Sequence, residues 1–459
     1  MNAHTILRTD VIVGKIKYAA LAYQYCSTNK IVNTLHVIGT SSCLVEKVFL
    51  VPGTTCLRTV CCKHPDTLEA ERIMKTTEFA RASNIVIWNR WFLRLLGLWP
   101  IRVNQPVFVF FVIYSISIWI MEMCYLFECD TLECVVTNLS ENILFLILTG
   151  KIVVMRLGCD IMSKFLKIIE SDLTTEAYHN VQEKTVYLRY NEIGLKFIKI
   201  SMGNTMVAAI IYYLRTFLEN WNAMTSGSNF SYELPYRVIP FIEINDMFTY
   251  TCFCIYLMIA LLTITCGYSG PDTFVISMTL HICGQLAALS CRIDSLLKNH
   301  DNYRYHLSII VHRHLQLITL AEQLENTFNL IFFAQSLGST VLLCLTLYMA
   351  VNPASSEDKE VSTVISYTLY IFCLLITIWS YCYTGECLIT ESTGVRDAFY
   401  KSDWYNHSPM QSRLIRTCMI RAEKPAILTM GKFCVLSLNT FTNLIKTSMA
   451  YLSMLRNFS

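Results

Sequence analysis

VSTVISYTLYIFCLLITIWSYC, residues 361–382, contains no charged side chain. A water-facing helix of that length keeps a polar face, whereas a helix crossing a bilayer needs about 20 mostly apolar residues. The stretch therefore reads as a membrane span. Two others, 247–266 and 328–350, are equally free of charge, and 106–127 carries only Glu122, near one end. The composition agrees, with 54% hydrophobic residues, 15% charged and a mean hydropathy of +0.42. Soluble chains carry about 25% charged residues. A net charge of +3 without any basic run excludes a nucleic-acid partner.

Three weaker spans complete the count. The segment 132–155 holds Glu133 and Glu141 within its stretch 132–150, and 196–217 has a short apolar heart, 200–214, flanked by Lys199 and Arg215, whose side chains can snorkel to the interfaces. The segment 433–456 is interrupted by Lys446. The expected fold is an all-α membrane protein of seven helices, and a six-span version would drop the span at 132–150. Segments 71–105, 151–199, 267–327 and 383–432 carry 25 Lys and Arg, against 4 in the segments between the opposite helix ends. The positive-inside rule then places the amino terminus in the cytoplasm and the carboxyl terminus outside, the reverse of a G-protein-coupled receptor. Arg8, Asp10, Lys15 and Lys17 break up any signal-peptide core.

Most of the 20 cysteines lie inside apolar stretches without paired CxxC spacing and read as small packing residues. Cys124, Cys129 and Cys134 straddle a short outer loop where one bridge can form. Asn229 begins a glycosylation sequon in the long second outer loop, while the sequons at Asn138 and Asn406 fall in a span and on the cytoplasmic side and read as chance matches.

The last helix sorts into two faces at about 100° per residue. Asn439, Asn443, Lys446, Ala450, Ser453, Met454 and Asn457 share one stripe. Phe441, Leu444, Ile445, Leu452 and Leu455 lie opposite, with Ser448 the polar exception. Such a stripe serves either helix–helix packing or the wall of an aqueous path.

Several motifs, in order, resemble the insect odorant receptors. They are WNRWFLRLLGLWP (88–100), HLQLITLAEQLENTFNLIFFAQSLGSTVLLC (314–344), YCYTGECLITES (381–392), VRDAFYKSDWY (395–405) and RAEKPAILTMGKFCVLSLNTF (421–441). The chain closes with Ala450-Tyr451, five residues, then Asn457-Phe458, where gustatory relatives show Thr-Tyr and Gln-Phe. The match spans about residues 76–459. Residues 1–75 match nothing in the family and stand either as an extra cytoplasmic segment or as a gene-model artefact.

The resemblance implies a plasma-membrane, odorant-gated, non-selective cation channel in sensory dendrites of olfactory neurons. It implies a tuning subunit joined to a co-receptor subunit in a heterotetramer, with no cofactor and no enzymatic activity. It places the pore on Asn443, Ser453, Met454, Asn457 and Phe458. A small hydrophobic volatile would bind among the outer ends of the second, third, fourth and sixth spans, where Tyr212, Tyr213, Phe217, Phe248, Tyr250, Phe253, Tyr367 and Tyr370 gather. Aromatic rings at those levels also serve as interfacial anchors in membrane lipid. Subunits would meet through Trp404, Tyr405 and Phe433, or these would pack within one subunit. A gustatory-type channel and a metabotropic seven-helix receptor are the alternatives. A transporter would show internal repeats, and His312 and His314 stand without a carboxylate pair or any nucleophile–base constellation.

Overall fold

The computed structural model describes residues 70–173, 178, 180–225, 234–244, 246–296, 303–351 and 361–458. Ten α-helices are described: α1 Ala70–Leu95, α2 Gln105–Leu126, α3 Leu132–Leu157, α4 Cys159–Asp172, α5 Val181–Thr225, α6 Met247–Leu296, α7 Tyr303–Val351, α8 Val361–Lys401, α9 Pro409–Glu423 and α10 Leu438–Phe458. A hairpin, β1 Thr429–Met430 and β2 Cys434–Val435, precedes α10.

Six helices, α2, α3 and α5–α8, contain windows long and apolar enough to cross a membrane. α10 has the length, at 21 residues, but its polar stripe dilutes its hydropathy. Four of the expected spans are only parts of longer helices. α5 to α8 run 45, 50, 49 and 41 residues, well beyond the thickness of a bilayer at 1.5 Å per residue. Their extensions pack against each other below the apolar stretches, α5 with α6 most extensively.

That lower layer is polar at its joints. Asp172, closing α4, meets His281 of α6 at 3.1 Å and the guanidinium of Arg313 of α7. Burial pushes the Asp172 carboxyl up, but the His281 hydrogen bond and the two neighbouring bases hold it below the ordinary carboxylate value. Glu183 and Arg292 pair at 2.8 Å, tying the start of α5 to the end of α6.

The expected seventh span begins too early. Gly431 and Lys432 take positive φ values of 58° and 65°, and Phe433 N–H donates to the Met430 carbonyl at 3.1 Å, which makes a tight hairpin turn. Residues 433–437 are therefore not helical. Ser437 caps α10 instead, its hydroxyl accepting from Thr440 N–H at 3.2 Å. At the amino-terminal end, α1 closes with Gly97 at φ 70°. Leu98 N–H bonds Leu93 carbonyl at 2.8 Å and Gly97 N–H bonds Arg94 carbonyl at 3.0 Å, a Schellman stop.

Cys129 and Cys134 form a disulfide across the α2–α3 connection, with Cα atoms 5.5 Å apart. Cys124 is free. Asn138 is fully buried within α3, its amide donating to the Arg237 carbonyl at 3.2 Å. Asn229 lies outside the described residues.

Candidate functional site

A cavity of about 110 Å³, counted as space for the centre of a water-sized sphere, opens between α3, α5, α6, α7 and α8. Each helix contributes one face. On α5, Thr205, Ala208, Ala209 and Tyr212 follow helical spacing, so small side chains leave the space that larger ones would fill. Ser140, Glu141, Leu144 and Phe145 do the same on α3, and Ser366, Tyr367, Tyr370 and Cys373 on α8. Tyr236, from the connection between α5 and α6, completes the wall.

The lining is apolar with a few polar atoms. Tyr212 donates its hydroxyl to one oxygen of Glu141, and Arg237 N–H reaches the other at 3.4 Å. The rings of Tyr212 and Tyr236 stand 5.7 Å apart. At the deep end, Gln335 Nε2 donates to the Tyr268 hydroxyl at 2.6 Å.

Beyond Tyr268 lies a buried ion pair. Lys151 of α3 and Asp272 of α6 meet at 2.7 Å with side chains only 1% and 3% exposed. Lys151 also donates to the Tyr268 carbonyl at 3.2 Å and sits 3.8 Å from the Tyr268 ring centre. Tyr381 of α8 donates to the second Asp272 oxygen. Pro271 interrupts the α6 hydrogen-bond ladder beside this cluster. Lys151 falls in a segment whose positive charges the sequence assigns to the cytoplasm, yet it lies inside the helix bundle, held there by an acid from another helix.

Of the eight aromatic residues expected at a ligand site, Tyr212, Tyr367 and Tyr370 line the cavity. Tyr213 is buried beside it but donates its hydroxyl to the Cys254 carbonyl at 2.8 Å. Tyr250 is buried away from the lining, and Phe253 packs on Tyr256 with ring centres 5.7 Å apart. Phe248 points outward, 76% exposed. The side chain of Phe217 lies outside the described residues. On α6 the lining falls at Ile264 and Tyr268, about four turns past Phe248. Glu141, Tyr236 and Tyr268 were not singled out in the sequence as lining residues. Glu141 alone left a signal, as an ionisable side chain within a span.

The α10 stripe emerges as the uncovered side of the last helix. Asn439, Asn443, Lys446, Ala450, Ser453 and Met454 are exposed, while Thr440 and Ser448 are buried. Ser448, the polar exception on the apolar side, donates to its own helix at 3.0 Å and lies 3.4 Å from the Thr340 carbonyl of α7. The side chains of Asn457 and Phe458 lie outside the described residues. Tyr405 and Phe433 project from the surface, Phe433 at 85% exposure, and Trp404 is half-buried in a short 3-10 turn. Among the described residues, no group of three or more His, Cys, Asp or Glu side chains is placed to hold a metal ion.

A family model described as 7tm Odorant receptor matches residues 131–449. Odorant receptor 13a of Drosophila melanogaster is 26% identical over 242 residues, covering 49% of this chain and 57% of that one. Odorant receptor 63a of the same species is 28% identical over 196 residues, covering 42% and 46%. The chain thus spans about half the length of the curated relatives it matches. The solved insect olfactory receptor OR5 from Machilis hrabei, in complex with eugenol, superposes with a TM-score of 0.69 at 16% identity, over 85% of this chain and all of that one.

Proposed function

The chain belongs to the 7tm odorant receptor family, and on that premise we propose that it is the ligand-binding subunit of a heteromeric, odorant-gated, non-selective cation channel. The cavity is the site for a small hydrophobic volatile. The exposed α10 stripe, gathered around a shared axis with equivalent helices of neighbouring subunits, lines the conduction path. A co-receptor subunit completes the tetramer, and Trp404, Tyr405 and Phe433 contribute to the contacts between subunits. The assembly resides in the plasma membrane of olfactory dendrites.

One observation carries the reading: the cavity and α10 share a packed cluster. Met349 and Tyr367 line the cavity, and both belong to an apolar cluster with Val136 and Tyr348 against which Leu452 of α10 packs. A molecule that fits the cavity better in one arrangement of this cluster than another shifts the position of α10, which is all that ligand gating requires. The orientation with the amino terminus inside is supported by the charge asymmetry, 24 basic residues against 4 once the buried Lys151 is set aside. The Cys129–Cys134 bridge in an outer connection supports it independently, since disulfides persist on the oxidising side of a membrane.

The test is patch-clamp recording from cells expressing the full chain with a co-receptor subunit, challenged with a volatile panel. Dose-dependent cation current that persists when G-protein signalling is blocked is expected. Tyr367→Ala should move the half-maximal concentration of an activating volatile by tenfold or more. Current that requires G-protein signalling would replace this reading with a metabotropic one.

A further inference from the structure

We propose that the cavity selects a neutral ligand bearing a hydroxyl group, whose O–H donates to Glu141 while its oxygen accepts from Tyr236 or Tyr370. The inference rests on the reading of the cavity as the ligand site and adds the chemistry that the site recognises. Three observations carry it. The hydroxyls of Tyr236 and Tyr370 are both buried, both belong to rings that line the cavity, and neither has a hydrogen-bond partner among the described residues. An unpaired buried donor is costly, so a ligand atom that accepts from it gains the full value of that hydrogen bond.

Second, Glu141 lines the same cavity as both tyrosines, and the Tyr236 ring stands 5.7 Å from that of Tyr212, whose hydroxyl donates to Glu141. Its oxygens take one hydrogen bond from Tyr212 and one long one from Arg237 N–H, while a carboxylate has about four acceptor positions. Acceptor capacity therefore remains beside unsatisfied donors.

Third, Glu141 already has positive neighbours. The side chains of Arg215 and Arg237 act on it electrostatically, so an ammonium ligand finds no unmatched negative charge there. An ether or ketone accepts but cannot donate, and a hydrocarbon does neither. Among alcohol, ether, ketone, ammonium and hydrocarbon ligands, only the alcohol meets both demands without adding charge.

The test uses the purified full chain in lipid nanodiscs and partition-corrected binding of four probes: hexan-1-ol, its isomer 1-methoxypentane, hexan-2-one and hexylamine. Hexan-1-ol should bind about tenfold more tightly than its ether isomer, the difference made by one hydrogen bond of ordinary strength. Joint substitution Tyr236→Phe and Tyr370→Phe, which keeps both rings, should weaken hexan-1-ol by about tenfold. The proposal fails if the ether or the ketone equals the alcohol, if hexylamine binds more tightly, or if the double variant binds hexan-1-ol unchanged. Because binding is read without current, an alcohol preference in a chain that gates no current upholds this chemistry and removes the channel reading. Volatile-gated current without that preference does the opposite.

Discussion

At the scale of single residues, the arrangement turns on a few side chains placed where water does not reach. Lys151 and Asp272 neutralise each other inside the bundle, and removing either leaves a buried charge without a counterion, a loss of about 3–5 kcal/mol. Lys151→Met should sharply reduce the yield of monodisperse protein in fluorescence-detected size exclusion, and adding Asp272→Leu should recover most of it. If the double variant is no better than the single one, the pair is not what the bundle needs there. Gly385 makes a different demand: a Cβ on it would stand 2.3 Å from the Leu436 carbonyl oxygen, at the point where the chain leaves the hairpin for α10. Gly385→Ala should cost about 1–3 kcal/mol by overpacking. Gly150→Ala, where an added Cβ meets nothing within 4 Å, should leave the melting temperature unchanged or slightly raised. The two melting curves decide between a local steric rule and a general intolerance of α-helical glycine replacement. Gly385 belongs to one of the motifs that suggested the family, so its conspicuousness in the sequence has a steric cause.

At the scale of elements, α10 is held at its start by groups from elsewhere. Glu386 of α8 accepts from Leu438 N–H at 3.2 Å, placing a negative charge at the positive end of the helix dipole. The hairpin is pinned to α7 through Glu325, which accepts from Thr429 N–H at 2.8 Å, and through Asn329, whose carbonyl accepts from Gly431 N–H at 2.9 Å. Glu386→Ala should lower the melting temperature and, if α10 gates the channel, shift the concentration dependence of activation. An unchanged dose response with a lowered melting temperature would confine Glu386 to a structural role. Periodicity made the two faces of α10 legible, because a helix repeats its face every 3.6 residues whatever surrounds it. The family resemblance, with the orientation taken from charge, pointed to Tyr212, Tyr367 and Tyr370. It missed Tyr268 and chose Phe248, since a sequence contains no measure of how far one helix slides along another. It saw Glu141 only as a blemish in a span, and Tyr236, in a connection without periodicity, gave no signal. The hairpin at 429–435 was hidden because its cue, Gly431-Lys432, is short and its two strands are stabilised by α7 rather than by their own pattern.

At the scale of the whole molecule, one chain leaves its account incomplete in a specific place. The polar side of α10 and the rings of Tyr405 and Phe433 are uncovered, while a lysine or asparagine facing lipid is costly. Neighbouring subunits around an aqueous axis would resolve that cost for the stripe. Membrane class was legible from hydropathy alone, but the seventh helix was not, because the polar stripe of α10 leaves it without a window apolar enough to cross a membrane. The long extensions of α5–α8 were less legible, because their continuity with the spans depends on packing between helices and not on the length of an apolar run. The central claim is that α10 walls the conduction path and that a ligand opens it. The most direct measurement introduces Asn443→Cys and Ala450→Cys separately in the full chain and records volatile-evoked current during application of a charged methanethiosulfonate reagent from the outside. Progressive, irreversible change of current at these positions, faster when the volatile is present, is the predicted result. Currents indifferent to the reagent at both positions, in variants shown to reach the cell surface, would contradict the account.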